Sequence, residues 1–226
     1  MPNIGKKREG GRWRSSHGFT LVELLIAVAI AGIVMGGIYS VFLSQQSSYE
    51  AQAQVTALEQ KVRAAMYFMQ RDISMAGCDP TGNANAGILT AGSHSIRLTE
   101  DLNSNGDSTE YNEDVTYDLY TTGGIQKLGR KSPFTASNQP VVEDVDALDF
   151  LYFDAAGNVL PTPVSDPSRI RSVQITLVVR GEKTDRHFSN TTIYRNQAGT
   201  SIFGPANDHF RRRLLTAEVM CRNLVF

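Results

Sequence analysis

The amino-acid sequence predicts an α+β protein: one long N-terminal helix, membrane-spanning in its first half, packed on an antiparallel β-sheet domain. Three observations carry that expectation. Phe19 to Leu43 is an apolar run with a single charged side chain, Glu23. Val55, Leu58, Val62, Ala65, Met69 and Ile73 recur at steps of three and four, the spacing of one helix face. Beyond Gly77 the composition changes to short apolar segments divided by Gly, Asn, Asp and Pro, as in strands joined by turns. A chain of 226 residues is long enough for one compact domain with a core and an appended element.

The first element is a basic leader. Residues 1–18 hold Lys6, Lys7, Arg8, Arg12 and Arg14 against Glu9. Of the 22 basic and 23 acidic residues in the chain, the part after the leader keeps 17 and 22, a net charge of minus 5. Such an acidic body is a poor partner for phosphates, and no nucleic acid partner is expected. The 25 residues from Phe19 to Leu43 would extend roughly 37 Å as a helix. That exceeds the ~30 Å hydrocarbon core, so the run can span a membrane. The basic cluster on its N-terminal side predicts that this end stays in the cytoplasm and the rest is exported. A signal peptide cut at Ala29-Ile30-Ala31 would leave apolar Gly32 to Leu43 at the new N-terminus. An uncut anchor explains length and charge bias but leaves Glu23 as an unexplained cost.

Downstream the helix continues out of the membrane. Gln52, Glu59, Gln60, Lys61, Arg63 and Gln70 populate the faces away from the apolar stripe, which is too short for a coiled coil and reads as core packing. Gly32 and Gly36 form a small-xxx-small pair inside the membrane segment, and Gly77 stands where a helix C-cap belongs. Strands are expected at Ser95–Thr99, Val115–Tyr120, Val141–Phe153, Ser172–Arg180, His187–Tyr194 and Leu214–Asn223. The clearest has Val173, Ile175, Leu177 and Val179 on one buried face. Turns are expected at Thr122-Gly123-Gly124, at Ala156-Gly157-Asn158 and in the loop of Pro161, Pro163 and Pro167.

Gly18-Phe19-Thr20-Leu21-Val22-Glu23, followed by the apolar run, resembles the cleavage and methylation signature of type IV prepilins and type II secretion pseudopilins. The resemblance implies cutting between Gly18 and Phe19 by a membrane prepilin peptidase, then N-methylation of Phe19. It also implies that Glu23 pairs with the N-terminal amine of a neighbouring subunit, which makes it an assembly residue. A carboxylate in apolar surroundings is tolerable when so paired. More loosely, "AGCDPTGNANAGI", "VDALDFLYFDAAGNVL" and "RRRLLTAEVMCRNL" are similar to PilW-type minor pilins, with J-type pseudopilins sharing the layout. The implied organisation is a cleaved leader at 1–18, a helix at 19–76 with 19–43 in the inner membrane, and a periplasmic β-rich domain at 77–226. The implied partners are the peptidase, other minor pilins or pseudopilins, the pilus or secretion assembly platform, and inner-membrane lipid before assembly.

Two further sites follow from residue types. Asp101, Asn103, Asn105, Gly106 and Asp107 match the first half of an EF-hand-type calcium loop, with Thr109, Glu110 and Glu113 as further oxygen donors. Position twelve is Asn112, with Glu110 too early and Glu113 one residue late, so the closing ligand departs from the pattern. From Leu98 to Gln126 there are seven acidic residues and no Lys or Arg, a repulsion that a divalent ion would relieve. The alternative is a metal-free loop in which Asn105-Gly106 merely turns the chain. Export would place Cys78 and Cys221 in an oxidising compartment, and a bridge between them is expected, against two buried free thiols.

No catalytic constellation stands out. His17, His94, His187 and His209 are scattered, and phosphate loops and nucleophile elbows are missing, so no enzyme is expected. Arg211-Arg212-Arg213 reads as a solvated charge run, and Asp144, Asp146 and Asp149 read as the wet side of a strand. The leading function is a minor pilin in the priming or tip complex of a type IV pilus. A J-type pseudopilin is its near alternative. A tip-displayed adhesin or DNA-binding module and a membrane-anchored enzyme are alternatives of other classes.

Overall fold

A computed structural model of the chain describes residues 18–135 and 137–224. The charges of the leader and His17 lie outside the described residues. The chain divides into two compact units, one ending at Tyr49 and one running from Glu50 onward. Helix α1 (Leu21–Met75) begins in the first and ends in the second. Through residues 18–50 every side chain is exposed, including Phe19, Leu21, Ile33 and Phe42. Within that stretch a Cβ added at Gly32 or Gly36 would meet nothing within 4 Å.

In the second unit α1 turns one stripe inward. Leu58, Val62, Ala65, Met69 and Ile73 are buried as their spacing predicts, and Val55 is half-buried. Met66 and Asp72 join them. The helix stops where the sequence places its cap. Gly77 has φ +80° and its N–H donates to Thr99 O at 3.0 Å. A Cβ there would lie 2.5 Å from Leu224 Cδ2. Gly77→Ala should therefore destabilise the domain by about 1–2 kcal/mol, read as a lower denaturant midpoint; an unchanged midpoint would mean the cap is dispensable.

The stripe packs on two antiparallel sheets. The first holds β1 (Ile88–Ala91), β2 (Ile96–Thr99), β3 (Asp114–Thr122), β4 (Ile125–Lys131) and β5 (Gln139–Glu143) in sequence order. The turn from β3 to β4 is the expected Gly123-Gly124, both with positive φ, as a two-residue hairpin of right-handed twist requires. The second is built from β6 (Val145–Phe153), β7 (Val159–Leu160) and β8 (Ser172–Thr184). A short ribbon of β9 (Tyr194–Arg195) and β10 (Ser201–Phe203) precedes the edge strand β11 (Phe210–Met220). The order is β11-β8-β6-β7. One core cluster joins the helix stripe to Val115 and Tyr117 of β3, Leu148 and Phe150 of β6, and Val173, Ile175, Leu177 and Val179 of β8.

The structure corrects three strand expectations. Val141–Phe153 is two strands, because Asp144 has φ +60° and turns the chain from β5 in the first sheet to β6 in the second. His187–Tyr194 is mostly irregular, its β pairing among the described residues reduced to a bridge between Asn190 and Asp208 before β9 begins at Tyr194. Strand β8 is buried on both faces, since Gln174, Thr176 and Val178 are covered as fully as the apolar set. The cover is the ribbon segment: Gln197 accepts from Gln174 Nε2, and Asn196 Nδ2 donates to Asp149 Oδ2 at 2.8 Å.

Candidate assembly site

The start of α1 is built on a reciprocal cap. Thr20 Oγ1 accepts the Glu23 N–H at 3.2 Å, and Glu23 Oε2 accepts from the Thr20 N–H and Oγ1, both at 2.9 Å. This is a capping box, Thr-x-x-Glu, and it satisfies two of the main-chain donors that a helix start leaves open. The same Thr-x-x-Glu spacing is present in the sequence at Thr20 and Glu23. Among the described residues Thr20 is the one hydrogen-bond partner shown for the Glu23 carboxylate, on a helix whose neighbouring side chains are apolar and exposed. Gly18 has open space around it: a Cβ there would meet nothing within 4 Å.

The acidic loop, residues 100–113, joins β2 to β3. Asp101 is fully buried and its Oδ1 and Oδ2 accept the N–H groups of Asn105 at 3.2 Å and Gly106 at 3.0 Å. Asn103 Oδ1 accepts from Asn105 N, and Asn105 Oδ1 from Asp107 N. Gly106 has φ +82°, the sharp turn that its position requires. The three later acids separate. Asp107 turns to Thr109, whose hydrogen bonds hold its carboxyl below the usual range. Glu110 is exposed and takes the side-chain amides of Asn103 and Asn105. Glu113 is 2% exposed; its Oε1 accepts the N–H groups of Leu102 at 2.9 Å and Asn103 at 3.2 Å, while Oε2 is buried with no hydrogen-bond partner.

The prokaryotic N-terminal methylation motif matches residues 13–39, and the family of type IV pilus-assembly protein W matches residues 121–223. The first stretch takes in the start of α1, and the second, just under half of the chain, takes in β4, β5 and the second sheet with its ribbon. The chain is similar to PilW-type minor pilins. No curated protein matches it. Among solved structures, a type IV-like pilin from Thermus thermophilus is similar at 12% identity and a TM-score of 0.48, over 74% of this chain and 98% of that one. The PilW family is structural, a set of subunits for type IV pilus assembly, and the apolar start of α1 fits an inner-membrane anchor. The methylation motif implies processing by a prepilin peptidase and assembly with pilus machinery.

Elsewhere in the chain the structure overturns several surface readings. The arginine run is paired throughout. Arg211 holds Asp185 Oδ2 at 2.7 Å and lies over the Phe188 ring, Arg212 holds Asp146 and Asp208, and Arg213 reaches Glu59 at 2.9 Å. The Arg212 side chain is 2% exposed, clamped between two carboxylates and stacked on Phe203. Asp144 and Asp149 are buried rather than wet: Asn196 of the ribbon segment covers Asp149, and Arg180 lies 3.6 Å from Asp144 Oδ1. The expected bridge is also not formed: Cys78 and Cys221 are free thiols. Their segments do adjoin, with Asn223 Nδ2 donating to Met75 O at 3.1 Å. Cys221, however, serves the core as a small apolar side chain, and burial pushes its thiol up to about 12.

Proposed function

We propose that this chain is cut between Gly18 and Phe19 and enters the priming or tip complex of the pilus as a minor subunit seated by Glu23. Before assembly it stands in the inner membrane as a single pass, its N-terminus cytoplasmic and its β-rich domain periplasmic. The basic leader supports this orientation. One observation carries the reading: Glu23 stands on an exposed apolar helix with Thr20 as its one described hydrogen-bond partner, and only through Oε2. A carboxylate entering hydrocarbon needs a cation. Prepilin cleavage creates one, the new N-terminal amine, on each neighbouring subunit. The capping box keeps Glu23 in its rotamer, so the charge is presented rather than withdrawn.

Processing is tested at Gly18. Nothing in the described residues crowds a Cβ at this position, so Gly18→Leu leaves the protein's own packing intact. It should nevertheless accumulate as the uncut precursor in the membrane, because the peptidase must accommodate the residue on the leader side of the cut. Intact-mass measurement and N-terminal sequencing decide it. A wild-type N-terminus at any residue other than Phe19, or normal cleavage of Gly18→Leu, would defeat the reading.

A further inference from the structure

We propose that the loop between β2 and β3 binds a calcium ion, with Asp101 and Glu113 as its two carboxylate ligands. The first half of the loop is set as such a site requires. Asp101 is buried with its two oxygens anchored on Asn105 and Gly106 N–H groups, and Gly106 makes the turn with φ +82°. The side chains at the first, third and fifth positions are Asp101, Asn103 and Asn105, all oxygen donors that suit a hard cation.

The closing ligand is the question that the sequence leaves open, and the structure answers it. Glu110 spends both oxygens on the amides of Asn103 and Asn105 and is exposed. Glu113 is buried, and its Oε1 is fixed on the N–H groups of Leu102 and Asn103, which holds the carboxylate over the loop's first turn. Its Oε2 is left over, buried without a partner. A buried anionic oxygen with no donor is costly, and a divalent ion supplies what the protein does not. Nearby cations are committed elsewhere: Arg97 is bidentate on Asp114, and Arg130 holds Asp72. No three His, Cys, Asp or Glu side chains converge among the described residues. The donor set proposed is instead two carboxylates, two Asn side-chain oxygens and the main-chain carbonyl of Asp107, completed by water. Such a large, irregular set of oxygens favours calcium over magnesium, which demands tighter octahedral geometry.

The ion would fasten the segment that follows α1. Ser108 Oγ donates to Ala84 O at 2.9 Å and Asp101 N to Cys78 O at 2.7 Å, so ordering the loop also orders residues 78–84. The test is a melting titration of the full processed chain in detergent with calcium chloride, and magnesium chloride as comparison. Calcium should raise Tm by several degrees with a Kd of roughly 0.1–1 mM, the range of extracellular modules. Glu113→Gln keeps an acceptor for Leu102 and Asn103 and should weaken the response at least tenfold; Asp101→Asn should do likewise. Asp107→Ala should respond as wild type, since only its main chain is used. A wild-type Tm indifferent to about 5 mM calcium, an equal rise with magnesium, or an undiminished response in Glu113→Gln would overturn the proposal.

Discussion

Glu23→Gln should insert in the membrane, lose its leader and yet be depleted from sheared filaments on the order of 100-fold. The variant separates two roles that Glu23 holds at once. Gln serves the N3 position of a capping box nearly as well as Glu, so the start of α1 survives. What Gln lacks is the charge, and a neighbour's N-terminal amine left in apolar surroundings without its counter-ion costs about 3 kcal/mol or more, which sets the expected depletion. Glu23→Ala removes cap and charge together. The cap alone is worth about 1 kcal/mol, little for a helix of 55 residues, so the Ala variant should be no worse than Gln in the filament. Immunoblots of sheared filaments against whole-cell levels measure both. If Gln incorporates normally while Ala fails, Glu23 is a helix cap and the pairing with a neighbour is wrong.

How much of this was legible in the sequence depended on the range of the interaction. The helix stripe, its Gly77 stop and the Gly123-Gly124 hairpin were readable because each rests on neighbours within a few residues. The sheet faces were not. Asp146 and Asp149 alternate with apolar residues as a wet strand face does, but the segment that covers them holds two strands of two and three residues, too short to show a period. Arg212 reads as one of three surface charges, yet its partners lie at Asp146 and Asp208, the first of them 66 residues away. Asp144 hides inside an unbroken run of strand-like residues, and only its positive φ moves the chain from one sheet to the other. In the acidic loop the motif was visible and the proposed closing carboxylate was not, because Glu113 rather than Glu110 folds back on Leu102 and Asn103.

The largest loss of stability should come from Asp72→Ala, about 3–5 kcal/mol. Asp72 is the carboxylate set among the buried residues of α1, its side chain 2% exposed. It ties the helix to the first sheet. Its Oδ2 accepts from Tyr117 Oη at 2.8 Å and Arg130 Nε at 2.9 Å, and its Oδ1 from Arg71. Tyr117 is fully buried, and burial beside the Asp72 charge drives its hydroxyl far above the ordinary phenol range, so it keeps the proton that it donates to Asp72. Removing Asp72 leaves that hydroxyl and the Arg130 guanidinium buried without their acceptor. Arg71 is half exposed and its loss should cost under about 1 kcal/mol. The double variant Asp72→Ala with Arg130→Met carries the sharper expectation. If the penalty lies in the abandoned charge, deleting the arginine as well should recover a large part of what Asp72→Ala loses, a coupling that independent sites do not show. Urea unfolding of the four proteins closes the cycle. An Asp72→Ala loss no larger than that of Arg71→Ala, or strictly additive losses in the double variant, would show that the helix is held on the sheet by apolar packing alone.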